Sequence, residues 1–228
     1  MRKPLTFSTN TGAKKSYSGI MVRTADLEFQ FPEMVRLSLP GRAVIPGLIN
    51  AHTHTVLTTL RGAVEDGSTV NRVYGYMVPI TFAMSDEERQ ALATLGCLEA
   101  IRSGTTTLVD PLRFVPAYAK SMAGTGLRLY LAESAADSVT TEIQTSGYRY
   151  DRSWGDAFLE RTISLIENHH NTHNGRVQCM VAAHAADNCS SWMLERLRDI
   201  AAQRGLRRTV HLSQSVQEVE QVKSMTGG

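Results

Sequence analysis

Two histidines separated by one residue, His52 and His54, end the apolar stretch AVIPGLINAHTH at residues 43–54. We interpret this stretch as a short strand, in which residues i and i+2 project from the same face. Two imidazoles on one face can chelate one divalent cation, because imidazole nitrogen suits zinc, iron and nickel. The competing interpretation is a pair of polar residues where a strand leaves the core, so the spacing alone leaves metal binding open.

Polar or ionisable side chains also stand at the ends of the later predicted strands. In a (β/α)8 barrel the active site is built from the carboxyl ends of the strands, so these side chains are expected to share one rim. Together with the histidine pair, every predicted strand delivers a candidate ligand or acid. These residues are Asp110, Glu133, His184 and His211.

Several of these polar residues also have purely structural interpretations. Asp110 can cap the next turn, and Glu133 can be a buried carboxylate bonded to backbone amides. Arg61, in the loop after the histidine pair, is expected either to pair with an acid or to contact substrate. A further group of histidines is predicted to be solvated on a helix end and a polar loop: His169, His170 and His173.

Strand and helix patterns alternate along most of the chain. The predicted strands are apolar runs at residues 43–54, 105–110, 127–133, 177–184 and 206–212. Helices follow them, two of which begin with capping boxes at Ser85/Glu88 and Ser215/Glu218. Residues 55–84 are predicted to form a long loop. Continuous apolar strands alternating with helices favour a parallel sheet covered by helices, which is an α/β fold.

Composition excludes several classes of protein. With 228 residues, 42% hydrophobic and 20% charged, the chain can bury a sizeable core and is not expected to be disordered. A net charge of +2 gives no argument for a nucleic-acid partner. Three cysteines without CxxC spacing suggest a reducing compartment. With no signal peptide and no long apolar run, we expect a cytoplasmic protein without membrane contact.

Four separated motifs resemble one known family. The segments VIPGLINAHTHTVLTTLRG, GCLEAIRSGTTTLVD, AAHAADNCSSWMLERL and TVHLSQS occur in the order found in the amidohydrolase superfamily. The branch that they resemble holds methylthioadenosine/S-adenosylhomocysteine deaminases and triazine hydrolases. The resemblance covers residues 43–228 and implies a metal-dependent TIM barrel preceded by part of a small β-sandwich. Residues 1–42 would then be a tail and the remnant of that β domain, with short strands at 20–22 and 35–39.

The resemblance also implies roles for individual residues. His52, His54 and His211 would be metal ligands for one divalent cation, zinc first and iron as the alternative. His184 matches a histidine that contacts substrate, and it and Gln214 are the candidates for catalytic or substrate-binding roles. The implied reaction is hydrolysis of a carbon–nitrogen bond of a small heterocyclic molecule by a metal-activated water, with deamination as the type.

The chain departs from the family pattern in three places. Gln214 stands where these deaminases usually carry a glutamate, and glutamine cannot shuttle a proton. No carboxylate stands near Thr81, where the family has a glutamate that grips substrate. Residues 43–228 hold only about five strand–helix units, whereas a complete barrel takes about 250 residues. We therefore expect strands 6–8 and a metal-binding aspartate to lie outside this sequence.

Two functions follow as alternatives. The first is an amidohydrolase acting on a small heterocycle. Members of the family are often dimers or larger, so the resemblance leaves a homodimer as one of the possible assemblies. The second is an incomplete hydrolase without activity of its own. Other histidine-metal hydrolases fit less well: the metallo-β-lactamase pattern HxHxDH is absent, as is the HxE and PCxxC pattern of zinc cytidine deaminases.

Overall fold

The computed structural model of the protein describes residue 33 and residues 40–63 and 71–227. The chain divides between Pro46 and Gly47, and the fold described below belongs to the part that begins at Gly47. The predicted short strands at residues 20–22 and 35–39 lie outside the described residues. The assignment of residues 1–42 to a small β domain stays a prediction.

The strands of the described part form one parallel sheet. Their order is β1-β2-β3-β5-β6, and β4 also pairs with β3. Apart from the short β4, which lies between β3 and β5 in the sequence, neighbouring strands in the sheet are neighbours along the chain, as a barrel built unit by unit requires. The strands are β1 (Leu48–Asn50), β2 (Thr105–Leu112), β3 (Arg128–Ala135), β4 (Val177–Cys179), β5 (Val181–Ala185) and β6 (Arg208–His211).

Helices connect the strands. They are α1 (Val78–Ala83), α2 (Asp86–Arg102), α3 (Val115–Gly124), α4 (Ile143–Ser146), α5 (Arg152–His169), α6 (Ser191–Arg204) and α7 (Val216–Thr226). Short helical turns occur at Thr55–Leu60, Thr172–Gly175 and Ala186–Asn188, and a π-helical segment at Asn71–Met77 leads into α1. The arrangement is an α/β fold with five strand–helix units in series, which confirms the predicted partial (β/α)8 barrel.

The two faces of the sheet have different neighbours. Leu129 and Leu131 of β3 belong to the large core between the sheet and the helices. Tyr130 and Ala132, which alternate with them, belong to a separate cluster with Met180 and others on the opposite face. Alternation of side chains along a strand causes this division. It determines which strand-end residues point towards the barrel interior and which point towards the helices.

Two predicted strands have different limits in the structure. β1 ends at Asn50 because the Asn50 side-chain oxygen accepts a hydrogen bond from the His52 backbone N–H at 3.2 Å, which turns the chain. The prediction that His52 lies on the strand is therefore wrong. The predicted strand at 177–184 is interrupted at Met180, whose N–H donates to the Leu131 carbonyl at 2.8 Å.

The predicted long loop at residues 55–84 is also wrong for its described part. This segment contains the helical turn Thr55–Leu60 and the continuous helical stretch from Asn71 to Ala83. Its helices are held by packing, because Val56, Tyr74 and Val78 are all buried. No helix within the described residues is both long and apolar enough to cross a membrane.

The capping box predicted at the start of α2 is confirmed. The Ser85 hydroxyl accepts from the Glu88 N–H at 3.2 Å, and the Glu88 carboxylate accepts from the Ser85 N–H at 2.8 Å. Loss of an N-cap side chain typically costs about 1 kcal/mol. We expect Ser85→Ala to lower the free energy of unfolding in urea by about that amount. Ser224→Ala, at an exposed position in α7, is the control and is expected to change it by less than about 0.5 kcal/mol.

Candidate metal centre

Three imidazoles converge at the carboxyl ends of the first and last described strands. The ring centroids of His52 and His54 lie 4.8 Å apart, and those of His52 and His211 are also 4.8 Å apart. One nitrogen from each ring lies within 4.8 Å of the other two. The pair in the HTH motif thus meets a third histidine from β6, about 160 residues further along the chain.

The hydrogen bonds around His211 show which nitrogen is free. Its Nδ1 lies 2.5 Å from the backbone carbonyl oxygen of His184, and because a carbonyl can only accept, Nδ1 carries the proton. The Nε2 atom of neutral His211 therefore keeps its lone pair, and it faces Nε2 of His52 at 3.3 Å. Two nitrogens bound to one tetrahedral zinc at about 2.1 Å would lie about 3.4 Å apart, so the spacing of this pair is that of two zinc ligands.

The loop that carries the histidine pair is attached to β2. The Thr53 N–H donates to the Val109 carbonyl at 2.9 Å, so the chain continues beside β2 after β1 has ended. The buried Asp110 carboxylate accepts from both the backbone N–H and the hydroxyl of Thr55, at 3.1 and 2.5 Å. Asp110 therefore caps a turn, as one interpretation predicted, but it is the turn that follows His54.

Asp110 also faces His54. Its second oxygen lies 3.9 Å from Nδ1 of His54, too far for a direct hydrogen bond. Both atoms are buried and have no hydrogen-bond partner among the described residues. The carboxylate is thus placed behind the histidine, in the position from which acidic groups commonly orient metal-binding imidazoles.

Glu133 points away from the three histidines. Its carboxylate is buried between the sheet and the helices, where it accepts from the backbone N–H groups of Phe114 and Val115 at 3.0 and 2.9 Å. The Arg161 guanidinium donates a third hydrogen bond at 2.8 Å. The predicted alternative of a buried carboxylate bonded to backbone amides is confirmed, and Glu133 acts as the cap of α3.

His184 lies on the interior side of β5, next to the three histidines. It is 6% exposed, and its ring centroid is 5.3 Å from that of His211. Burial lowers its pKa well below the usual value, and the positive charge of Arg113 lowers it further. His184 is therefore a neutral imidazole at physiological pH.

Arg113 is a residue of this site that the motif analysis missed. It follows β2 directly, is 3% exposed, and its Nε and Nη2 atoms have no hydrogen-bond partner among the described residues. Burial lowers its pKa to about 10, so the guanidinium stays charged at neutral pH. The sequence does hold a signal for Arg113, because it is a charged residue at the end of a predicted strand, as Asp110 is. Arg113 thereby places a buried positive charge close enough to His184 to lower the pKa of that histidine.

Three further polar residues form a hydrogen-bond network that contacts His184: Tyr74, Asp187 and Asn188. All are buried, and the hydroxyl groups of Tyr74 and Tyr148 both donate to Oδ2 of Asp187, at 3.2 and 2.5 Å. Burial raises the pKa of Asp187. In the sequence, Asp187 and Asn188 are recognisable as polar residues shortly after the strand-end histidine. Tyr74 is distant in sequence, and only the tertiary fold brings it into this network.

Gln214 and Arg61, the other two residues predicted to contact substrate, have hydrogen bonds within the chain. Gln214 is half-buried just before α7, and its backbone N–H donates to the Glu218 carboxylate at 2.6 Å. Arg61 is exposed and pairs with Glu99 at 2.6 Å, which is the structural alternative predicted for it. Their roles towards substrate stay predictions.

Among the histidines predicted to be solvated, His173 is exposed, but Nδ1 of His170 accepts from the Cys179 N–H at 3.1 Å.

The electrostatics of His211 predict a pH-dependent stability for the metal-free chain. Burial lowers the pKa of His211 to about 4 from 6.5, although its bond to the His184 carbonyl opposes this shift. Between these values the unfolded chain binds more protons, so the free energy of unfolding falls as the pH drops from 6.5 to 4. After a discount for partial exposure we expect a loss of about 2 kcal/mol.

Urea unfolding of wild type and His211→Asn at several pH values in this range, in the presence of a chelator, measures the contribution of His211. The asparagine variant should lose less stability than the wild type over the interval. Parallel curves for the two proteins would contradict the assignment.

Solved structures share the fold described above. An adenosine deaminase from Xanthomonas campestris with bound zinc has a TM-score of 0.67 at 24% identity, over 80% of this chain and 39% of that one. Atrazine chlorohydrolase from Arthrobacter aurescens complexed with zinc has a TM-score of 0.67 at 18% identity, over 80% and 44%. The fold is thus part of an α/β barrel.

Sequence comparison then identifies the family. The pattern of the amidohydrolase family matches residues 43–228, and the chain belongs to this family. A 5-methylthioadenosine/S-adenosylhomocysteine deaminase of Thermococcus sibiricus is 32% identical over 187 residues, covering 82% of this chain and 42% of the relative. A 5'-deoxyadenosine deaminase of Methanococcus aeolicus is 28% identical over 186 residues, covering 82% and 41%. The chain thus spans less than half the length of these relatives.

Proposed function

We propose that the chain is the metal-binding portion of an amidohydrolase that removes an amino group from a small heterocyclic molecule. The observation that carries the proposal is the convergence of His52, His54 and His211, with the Nε2 atoms of His52 and His211 3.3 Å apart. The names of the relatives, which are deaminases of adenosine derivatives, support a substrate of this chemical type. Water replaces the amino group, so a C–O bond forms, the C–N bond breaks and ammonia leaves.

His52, His54 and His211 would hold one divalent cation, for which zinc is proposed and iron is the alternative. When bound by neutral ligands, such a cation lowers the pKa of water to about 7 and acts as a Lewis acid. The bond from His211 Nδ1 to the His184 carbonyl fixes the orientation of this ligand ring. Asp110 orders the turn after His54 through its two bonds to Thr55.

The substrate would lie against His184 and Arg113. Both are buried at the carboxyl ends of the strands, and the unpartnered Nε and Nη2 groups of Arg113 can donate hydrogen bonds. Such a site favours a ligand rich in acceptor atoms, as heterocycles with ring nitrogens are. Gln214 is proposed to donate or accept one hydrogen bond to the substrate. It cannot carry the proton that reaches the departing amine.

A second candidate is an incomplete hydrolase that binds metal without turnover. The observation behind it is that this chain covers 41% and 42% of the two relatives. For either function we propose the cytoplasm as the location, which fits three free, buried cysteines. A homodimer remains a proposal of the sequence alone.

Ammonia release by the zinc-loaded chain tests the proposal. The substrates are 5'-deoxyadenosine, S-adenosylhomocysteine, adenosine and guanine, and chloride release from atrazine is followed in parallel. Ammonia release by the wild type that is lost in His54→Asn but kept in His173→Asn would support deamination. Zinc binding without any product would favour the incomplete hydrolase. A chain that neither binds zinc nor releases product would overturn both functions.

A further inference from the structure

The side chain of Asn188 contacts Nδ1 of His184, the buried histidine next to the three-histidine centre. We propose that Asn188 is a positioning residue that holds His184 as the tautomer with its proton on Nε2. In this form the imidazole donates a hydrogen bond to an acceptor atom of the substrate. The tautomer stands on the contacts alone, whereas its use towards substrate rests on the proposed function.

The orientation of the Asn188 amide follows from one backbone group. The Ala185 N–H, which can only donate, lies 3.1 Å from the side-chain oxygen of Asn188. The oxygen therefore faces Ala185, and the NH2 group must face the other way. This assignment uses the known polarity of a backbone amide and does not depend on which side-chain atom is called nitrogen.

The amide NH2 group has two neighbours. It lies 2.5 Å from Nδ1 of His184 and 3.0 Å from the hydroxyl of Tyr74. Because the NH2 group can only donate, Nδ1 of His184 must accept, and so it carries no proton. A neutral imidazole has its single proton on the other nitrogen, Nε2.

The remaining contacts of the network agree with this direction. The Tyr74 hydroxyl accepts from Asn188, so its own hydrogen is directed to Oδ2 of Asp187 at 3.2 Å. The Tyr148 hydroxyl donates to the same oxygen at 2.5 Å. Every donor in the chain of bonds from Asn188 to Asp187 therefore has an acceptor. If the oxygen and the NH2 group of Asn188 exchanged places, the NH2 group would face the Ala185 N–H, and two donors would lie against each other.

The tautomer limits what His184 can do. With its lone pair on Nδ1 already used, the ring presents only an N–H donor to a ligand, so it cannot accept a proton through Nε2. It is suited to a ring nitrogen or an oxygen of the substrate, and it would disfavour a ligand that presents N–H groups at the same place. Asn188 thereby contributes to substrate selection without contacting the substrate.

Nitrogen-15 NMR of the histidine side chains at pH 8, on the full metal-free chain, tests the proposal. Protonated and unprotonated ring nitrogens resonate in separate regions, and His184→Gln identifies the His184 signals among those of the seven histidines. We expect the wild type to show an unprotonated Nδ1 and a protonated Nε2. A wild-type His184 with its proton on Nδ1, or with both forms averaged, would overturn the proposal whether or not the chain has activity.

Three variants test the role of Asn188. In Asn188→Asp a carboxylate faces Nδ1 and can accept, so the two His184 nitrogen signals should exchange their protonated and unprotonated positions. Asn188→Leu should give averaged signals. Tyr74→Phe removes one bond from the same amide but leaves the donor to Nδ1, so the wild-type pattern should persist. The role of Asn188 is refuted when both of its variants, folded by circular dichroism, keep the wild-type pattern.

Discussion

Replacement of His211 by asparagine is expected to reduce zinc affinity by about 100-fold or more. Loss of a residue that merely orients a ligand costs about 10–100-fold in metal affinity, so loss of a ligand itself should reach at least the upper end. His211 is the histidine that comes from a distant part of the sequence, and its Nε2 lies 3.3 Å from Nε2 of His52. Without it the remaining pair from the HTH motif supplies two ligands, too few for a closed protein site.

Competition with a chromophoric chelator measures this affinity. His173→Asn is the matched control, because the same substitution is made at an exposed histidine outside the cluster. The control should bind zinc like the wild type. Affinities for His211→Asn within threefold of the wild type, in a variant that is folded by circular dichroism, would contradict the assignment of the three-histidine centre. Atomic absorption after dialysis gives the stoichiometry, which should be one zinc per chain for wild type and control.

The second large effect is expected on stability. Glu133→Ala should lower the free energy of unfolding by about 3–5 kcal/mol, as is typical when one partner of a buried ion pair is removed. Glu133 is fully buried, and its removal leaves the N–H groups of Phe114 and Val115 without their acceptor. It also leaves the Arg161 guanidinium, which is 2.8 Å from the carboxylate, without its counter-charge.

Urea unfolding of Glu133→Ala beside Glu142→Ala isolates the contribution of burial. Glu142 pairs with Arg149 at 3.0 Å, but both side chains are about half exposed, so its removal should cost less than about 1 kcal/mol. Similar losses for the two variants would show that the buried carboxylate is not needed to hold α3. If Glu133→Ala is unfolded without urea, the wild-type free energy of unfolding is a lower limit for the loss.

The order of strands and helices could be predicted from the sequence. Apolar runs followed by amphipathic stretches are local patterns, and helix caps such as Ser85 are formed by residues three apart. Strand ends were less predictable. Asn50 stops β1 two residues before His52 through a side-chain hydrogen bond, and Met180 interrupts the strand that carries His184. These breaks depend on single contacts that periodicity does not record.

The residues of the candidate site also differ in whether the sequence alone could predict them. The HTH motif and the histidines on later strands were visible in the sequence, because their residue types and their places at strand ends are local features. Only the packed sheet shows which of these strand-end residues face the site. His184 and His211 face it. Asp110 and Glu133 instead accept hydrogen bonds from Thr55 and from the start of α3. The reason is geometric, since a shift of one residue at a strand end turns a side chain to the opposite face. Arg113 and Asn188 gain their importance from burial and from partners that are distant in sequence, which only the tertiary structure brings together.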